Sequence, residues 1–599
     1  MHREGVLDRW LGRLNGPQTM GRGAAFWLGF LILVVVMAAL PNWASRYQII
    51  NFSNFLISGL LALSLALIWG YCGILSLGQA AFFGIGGYAY GVVGLNLMRA
   101  HGNTDVALLA GMAVPAAFAA VVGGVMFFAR LKGVYVAILM LVVSLLLGTF
   151  MRQTADPSYT IGAAYLGGMN GLRPANPDDP LLPSLTLGLG DWAVELDGRS
   201  IAFYRLMLAI LVIVYLALRW LLNSSYGYLL IGCREDQERT ETFGYDVRLI
   251  QLGVFSLSAA LAGLAGALYT AWGTYIHPDG FGVAPNILVV IWVAVGGRKD
   301  LGAAILGAVG LSWLSIRLAA AGEISLLVLG AVLVVDAGHA RRAGGDDRTP
   351  ARPSRPASGG LTQMALLTVS DLHKDYGGIH AVNGLDLSIE KDEVHCIIGP
   401  NGAGKSTFFK LLMGLERPTS GSIVYRGRDI TRLPAFRRAR LGLTVKFQNI
   451  RVYQDLTVFQ NLFIPLRRHH RPAAMPGRAD ELLRRLHLAG TETELVRNLS
   501  HGQQQWLSIG MAMAVDPELL LLDEPTAGMS VEETLETANI VRALAAHGVT
   551  VVVIEHDMAF VRDLAARTSV LHLGRLFAQG SFAEIEANED VRRIYLGTL

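Results

Sequence analysis

Charge is what this 599-residue chain has least of: Asp, Glu, Lys and Arg make up 16% of it, against about 25% in soluble domains. With a mean hydropathy of +0.43, that shortage excludes a protein dissolved in water throughout, and part of the chain belongs in lipid. Cysteine is almost as scarce. Cys72, Cys233 and Cys396 are odd in number, scattered and without metal-ligand spacing, which excludes a disulfide framework and a zinc site. A net charge of +3 gives no sign of nucleic acid as a partner. Glycine, by contrast, is abundant: 68 residues, about 11% against a usual 7%, which suits membrane helices that pack through small side chains.

The apolar residues are gathered in the first half. Runs fall at 24–40, 48–70, 82–98, 106–129, 133–151, 201–222, 249–270, 283–296, 301–319 and 323–336, so about ten spans are expected. The runs at 283–296 and 323–336 are short enough to be re-entrant. The first run follows Arg3, Arg9, Arg13 and Arg22, a pattern shared by signal peptides and first spans, and the hydrophobic segments after it favour an uncleaved span. With a cytoplasmic N-terminus, the inside connections collect Arg130, Lys132, Arg234, Arg239, Arg248, Arg298 and Lys299. The outside connections hold only Arg46, Arg99, Arg152, Arg173 and Arg199, which obeys the positive-inside rule and places both termini in the cytoplasm.

Two connections and two glycine-rich tracts stand out. The outside loop 152–200 carries Gly167-Gly168-Met169-Asn170-Gly171 and a Pro/Asp-rich run, and reads equally as a solvated loop and as a docking surface for a solute-binding protein. The tracts 70–91 and 263–282 are rich in glycine and tyrosine. Interrupted helices lining a transport path and close glycine-mediated packing both fit them. The inside loop 223–248 is long and charged, and its centre from Arg234 to Phe243 should form a short surface helix closed by Gly244.

From 339 to 363 the sequence turns to Arg, Pro, Gly and Ser with no apolar period, a flexible tether. From 364 to 599, strand-like runs alternate with amphipathic helices, as in an α/β domain with a largely parallel sheet. The expected domains are thus a membrane domain over 1–338, the tether, and the α/β domain. That last domain contains GPNGAGKST, Gly399 to Thr407, directly after the apolar run Val394–Ile398. The spacing fits a P-loop: Gly399, Gly402 and Gly404 let the backbone wrap a phosphate, Lys405 supplies positive charge, and the Ser406 hydroxyl is placed for Mg²⁺.

The rest of the domain resembles an ABC-transporter ATPase. Leu499-Ser500-His501-Gly502-Gln503 is similar to the family signature, Leu519 to Pro525 to a Walker B strand, Gln448 in VKFQN to the Q-loop glutamine, and His556 to the switch histidine. Tyr376 looks like the aromatic that stacks on adenine. The resemblance implies ATP bound by Tyr376, Gly399, Asn401, Gly402, Gly404, Lys405, Ser406 and Thr407. It implies Mg²⁺ held by Ser406, Gln448 and Asp523, and catalysis by Glu524, which polarises the attacking water, with Gln448 and His556. Ser500, Gly502 and Gln503 would cap the ATP of an opposite subunit, so one such domain makes half of each site. His501 and Ser530 depart from the family pattern, where glycine and aspartate are usual, and leave open whether the two sites are equivalent.

About ten compact spans with short loops argue against an exporter half-transporter. GYCGILSLGQAAFFGIGGYAYG at 70–91, GGMNGL at 167–172 and residues 234–269 resemble a membrane subunit of the branched-chain amino-acid and amide importers. The resemblance implies a permease fused to its ATPase in a bacterial inner membrane. Its partners would be a second permease and a second ATPase, or a second copy of this chain, with an extracytoplasmic solute-binding protein and membrane lipid. Branched-chain amino acids are the first solute expected. LSHGQQQWLSIGM and GYCGILSLGQ lean towards urea or short amides. A membrane-anchored ATPase that regulates without transporting is the reading of another class, and so many spans exceed what an anchor needs. For the inside loop, resemblance to a permease coupling helix implies docking near Gln448, with Phe243 as anchor and Glu235, Asp236, Glu238 and Glu241 facing Arg437, Arg438 or Arg440.

Overall fold

A computed structural model describes residues 12–176, 182–188, 192–319, 365–564 and 566–596. They form two compact units: one holds the chain up to Arg234 and again from Arg248, the other holds Glu235–Val247 together with the C-terminal part.

The first unit is helical. Seven helices among the described residues are long and apolar enough to cross a membrane. They are α1 (Gly23–Ala39), α2 (Arg46–Leu65), α3 (Gln79–His101), α4 (Asp105–Phe128), α5 (Val134–Gln153), α6 (Ile201–Leu222) and, after the inside loop, α9 (Val247–Gly273). The inside loop carries α7 (Ser225–Glu235) and α8 (Gln237–Thr242). α10 (Val283–Gly296) is short, as its apolar run implied, and α11 (Leu301–Ala319) follows it. The tenth apolar run and the tether lie outside the described residues.

The glycine tracts hold both a helix interruption and a close glycine-mediated packing contact. α2 runs on through a π-helical turn, Ala66–Tyr71, and the chain then leaves helical geometry until Gln79. Backbone freed in this way must be satisfied by protein, and here buried side chains do it. Gln79 Nε2 donates to Ser258 Oγ (3.1 Å), Ser258 Oγ to the Ser64 carbonyl (2.7 Å), and the Ala80 N–H to Asn286 Oδ1 (3.0 Å). Beyond the break, α3 and α9 touch through bare backbone. A Cβ on Gly86 would lie 2.3 Å from the Gly263 carbonyl oxygen, so no larger residue fits there.

The second unit is α/β. Its central sheet is built from β3 (Val394–Ile398), β5 (Leu443–Lys446), β6 (Leu519–Asp523), β7 (Thr550–Ile554), β8 (Arg567–His572) and β9 (Arg575–Ser581), in the order β5-β6-β7-β3-β8-β9. All pairs are parallel except β8 with β9. Leu519 to Leu522 and Val551 to Ile554 are fully buried, as continuous apolar strands covered on both faces must be. The central sheet is thus largely parallel, as expected, and the unit adds a second, antiparallel sheet. An antiparallel sheet of β1 (Leu367–Tyr376), β2 (Ile379–Ile389) and β4 (Ser420–Tyr425) packs on α12 (Lys405–Met413), and Phe408, Phe409, Leu411 and Leu412 fill the core between the sheets. The helices that follow are α13 (Ala435–Ala439), α14 (Val458–His469), α15 (Met475–Arg485), α16 (His501–Met513) and α17 (Val531–Ala546).

Candidate functional site

Parallel strands place their C-terminal ends on one edge, and four adjacent strands here each deliver a candidate residue to that edge. β3 runs into Gly399, β5 into Gln448, β6 into Asp523 and Glu524, and β7 into His556. In the P-loop, Gly404 has φ +95° and closes so tightly that a Cβ would sit 2.2 Å from the Ala381 carbonyl oxygen. Lys405 opens α12, whose first-turn N–H groups have no partner within the helix. Its ammonium donates to the Gly399 (2.5 Å) and Pro400 (3.1 Å) carbonyls. Burial lowers its pKa, against the pull of Glu524 and Asp523.

Glu524 adopts φ +44°, the left-handed region a non-glycine residue rarely enters, while its N–H donates to the Ile554 carbonyl (2.9 Å). This turn brings its carboxylate to the other strand ends. Gln448 Nε2 donates to Glu524 Oε2 (2.9 Å), and His556 Nδ1 lies 3.8 Å from Oε1. Asp523 is buried, and its Oδ1 has no hydrogen-bond partner. Burial, then the neighbouring Glu524, pushes its pKa up to about 6, while Lys446 and Lys405 draw it down. A buried carboxylate oxygen left unpaired fits a cation ligand, so the donor set suits Mg²⁺.

Two residues at this edge escaped the motif reading. Lys446 ends β5 fully buried, donates to the Asp523 (3.2 Å) and Glu524 (2.9 Å) carbonyls, and has its pKa lowered by desolvation to about 8. It fastens the turn that presents both carboxylates. Glu555, also buried, accepts from Thr526 Oγ1 (2.6 Å), the Thr526 N–H (3.2 Å) and the His556 N–H (3.0 Å), holding the backbone of the histidine. The sequence signal was a lone charge at the end of an apolar strand in each case.

The signature residues stand apart from this cluster. Ser500 caps α16: its Oγ accepts from the Gln503 N–H (3.2 Å) and its N–H donates to Gln503 Oε1 (3.0 Å). A Cβ on Gly502 would lie 2.1 Å from Glu533 Oε1. Ser530, where aspartate is usual, caps α17 in a reciprocal pair with Glu533, a task serine and aspartate perform about equally well. Tyr376 ends β1 half-buried, with Lys374 Nζ 4.7 Å from its ring centre. Asn401 and Thr407 lie on the loop and the first turn of α12.

Glu235–Val247, contributed by the inside loop, is seated in the α/β unit. The expected single helix breaks at Asp236, whose carboxylate accepts the Arg239 N–H (2.8 Å) and starts α8. Phe243 is fully buried, as an anchor should be. The second anchor is Arg239, equally buried. Its Nη1 donates to the Val445 carbonyl (2.6 Å) and its Nη2 to the Ser508 carbonyl (2.8 Å), and its guanidinium lies 4.8 Å from the Phe243 ring centre and 5.8 Å from that of Phe447. Thr240 Oγ1 pairs with Tyr453 OH (2.9 Å). Two of the acidic residues pair with another arginine than those expected: Arg451 takes Glu238 (2.9 Å) and Asp236 (3.4 Å). Arg438 is instead spent on the Leu411, Leu412, Thr431 and Leu433 carbonyls, and Arg440 donates to the Gly244 carbonyl (2.9 Å).

Family comparisons divide along the same lines. The model of the permease component of branched-chain amino acid transport systems matches residues 49–336, and the ABC transporter model matches 382–527. The high-affinity branched-chain amino acid transport ATP-binding protein LivG of Salmonella typhimurium is 36% identical over 249 residues, covering 39% of this chain and 98% of LivG. BraF of Pseudomonas aeruginosa, of the same description, is 35% identical over the same shares. The lipopolysaccharide export ATP-binding protein LptB of Haemophilus influenzae is 32% identical over 236 residues, covering 39% of this chain and 98% of LptB. The same region thus matches proteins named for branched-chain amino acid transport and for lipopolysaccharide export.

Proposed function

The chain belongs to the ABC transporters, an importer-type permease of the branched-chain amino acid kind joined to an ABC ATPase, and on that premise we propose that it drives ATP-dependent uptake of branched-chain amino acids across a bacterial inner membrane. The observation that carries this reading is the seat of Glu235–Val247: a loop between two membrane helices is held in the ATPase by Arg239 and Phe243, beside the strand that leads to Gln448. The permease model, matching residues 49–336 and described by branched-chain amino acid transport, supports that solute over urea or a short amide.

In this reading the N–H groups at the start of α12 and the Lys405 ammonium receive the phosphates, with Gly399, Asn401, Gly402, Gly404 and Thr407 shaping the cradle and Tyr376 stacking on the base. Ser406, Asp523 and Gln448 would hold Mg²⁺, which when bound neutralises phosphate charge. Glu524 takes the proton of the attacking water, Gln448 orients the carboxylate through its 2.9 Å hydrogen bond, and His556 flanks the other oxygen. Ser500, Gly502 and Gln503, at the positive end of α16, serve the nucleotide of a second cassette. That cassette comes from a partner ATPase or a second copy of this chain, alongside a second permease. A solute-binding protein docks outside, both termini face the cytoplasm, and the domains divide at 1–338, 339–363 and 364–599.

Glu524→Gln tests the assignment. The isosteric amide keeps shape and ATP binding but cannot accept the proton, so hydrolysis by the purified protein should fall by about 10²-fold or more and leucine uptake should stop. Hydrolysis at the wild-type rate would refute the role of Glu524.

A further inference from the structure

Lys446 ends β5 fully buried, so it cannot touch a nucleotide at the strand edge. Its ammonium donates instead to two consecutive carbonyls, those of Asp523 (3.2 Å) and Glu524 (2.9 Å). Consecutive carbonyls of an extended strand point in opposite directions, and one donor reaches both only where the chain turns. Glu524 supplies the turn at φ +44°, a conformation that costs a non-glycine residue free energy and persists only where its surroundings hold it. The Ile554 carbonyl holds its N–H (2.9 Å), and Lys446 holds the two carbonyls. A buried ammonium is itself costly. Two costs met at one point mark a geometry kept for what it does rather than for stability.

The stretch of chain that carries Lys446 grips Glu524 twice. Lys446 takes its carbonyl, and Gln448, two residues on, takes its carboxylate (2.9 Å). The residues between and before them are gripped in turn: Arg239 donates to the Val445 carbonyl (2.6 Å), and the Phe447 ring centre lies 5.8 Å from the Arg239 guanidinium and 4.1 Å from that of Arg451. The end of β5 therefore has a fixed place, and Lys446 refers the backbone of Glu524 to it.

We propose that Lys446 is a positioning residue for ATP hydrolysis, which fixes the backbone turn of Glu524 and so aims its carboxylate at the attacking water. The proposal rests on the reading of Glu524 as the base and deepens it. A rival role is counter-charge to the buried Asp523 carboxylate. The two roles predict different losses, since a counter-charge to the cation ligand acts on the affinity for ATP, whereas a hold on the Glu524 backbone acts on the chemical step.

Lys446→Met keeps a side chain of similar length without a donor. In the purified full-length chain its kcat for ATP hydrolysis should fall about 10- to 100-fold, the range that a misplacement of about 1 Å produces, with KM for ATP and equilibrium ATP binding within about 2-fold of wild type. Lys446→Gln, whose amide is a neutral donor of shorter reach, should keep a higher kcat than Lys446→Met, because the turn needs donation rather than charge. Wild-type kcat in Lys446→Met would overturn the proposal, and so would a raised KM with unchanged kcat in both variants. A fall in kcat matched by an equal loss of folded protein, followed by thermal unfolding, would also overturn it and leave Lys446 a purely structural residue. Glu524→Gln assayed alongside keeps the two readings apart. Hydrolysis at the wild-type rate there refutes the base and this proposal together, whereas an inactive Glu524→Gln beside a fully active Lys446→Met refutes the proposal alone.

Discussion

Two fully buried arginines sit in the ATPase unit, and they do different work. Arg438 comes from that unit's own α13 and satisfies the Leu411 and Leu412 carbonyls near the end of α12, together with those of Thr431 and Leu433. Arg239 comes from a loop between membrane helices and donates to Val445 on β5 and Ser508 on α16. In both, burial lowers the pKa to about 10, and both terminal nitrogens of the guanidinium donate to neutral carbonyls. The same physical device thus closes the ATPase fold in one place and fastens the permease loop to it in the other. The second fastening has reach: Val445 lies three residues before Gln448, and Ser508 lies on the helix that Ser500 caps.

Substitution should pull the two apart. Arg438→Met strips four carbonyls of their donor in the core of the ATPase, and the expected cost of about 3 kcal/mol or more appears as a lower unfolding temperature with ATP binding lost in parallel. Arg239→Lys keeps the charge but replaces a planar fork by a single ammonium that cannot reach both carbonyls. The ATPase should stay folded and bind ATP with unchanged affinity, while leucine carried per ATP hydrolysed drops about 10-fold. Equal loss of stability in the two variants would erase the distinction. Arg451→Ala should do least, because its pairs with Glu238 and Asp236 lie near the surface and are worth at most about 1 kcal/mol, and uptake should stay within about 2-fold of wild type.

Five of the motif residues were legible because each follows a buried parallel strand, and strand order then gathers Gly399, Gln448, Asp523, Glu524 and His556 without further information. Lys446 and Glu555 were not, since their meaning depends on which backbone groups lie opposite the strand ends. Arg239 counted in the sequence only as one more inside charge; its burial follows from a groove between β5 and α16 that no local pattern announces. Asp236 and Glu238 pair with Arg451 rather than Arg438 for a related reason. Arg438 is committed to the Leu411 and Leu412 carbonyls near a helix end, and so is unavailable to an acidic loop. In the membrane half, apolar runs located the helices, while glycine content alone could not separate the unwound stretch after Tyr71 from the backbone contact of Gly86 with Gly263.

We propose that Glu235–Val247 carries the motion of the ATPase to the permease, and Phe243 is the residue on which to test it, because it is apolar, fully buried and absent from the nucleotide-site cluster. Phe243→Asp would place a carboxylate where burial strongly disfavours charge, and the loop should leave its seat. Leucine uptake and ATP hydrolysis should be measured side by side in cells and membranes holding equal amounts of the wild-type and variant chains. Uptake should fall to background while ATP binding and basal hydrolysis persist. Wild-type uptake by Phe243→Asp at equal abundance would contradict the account.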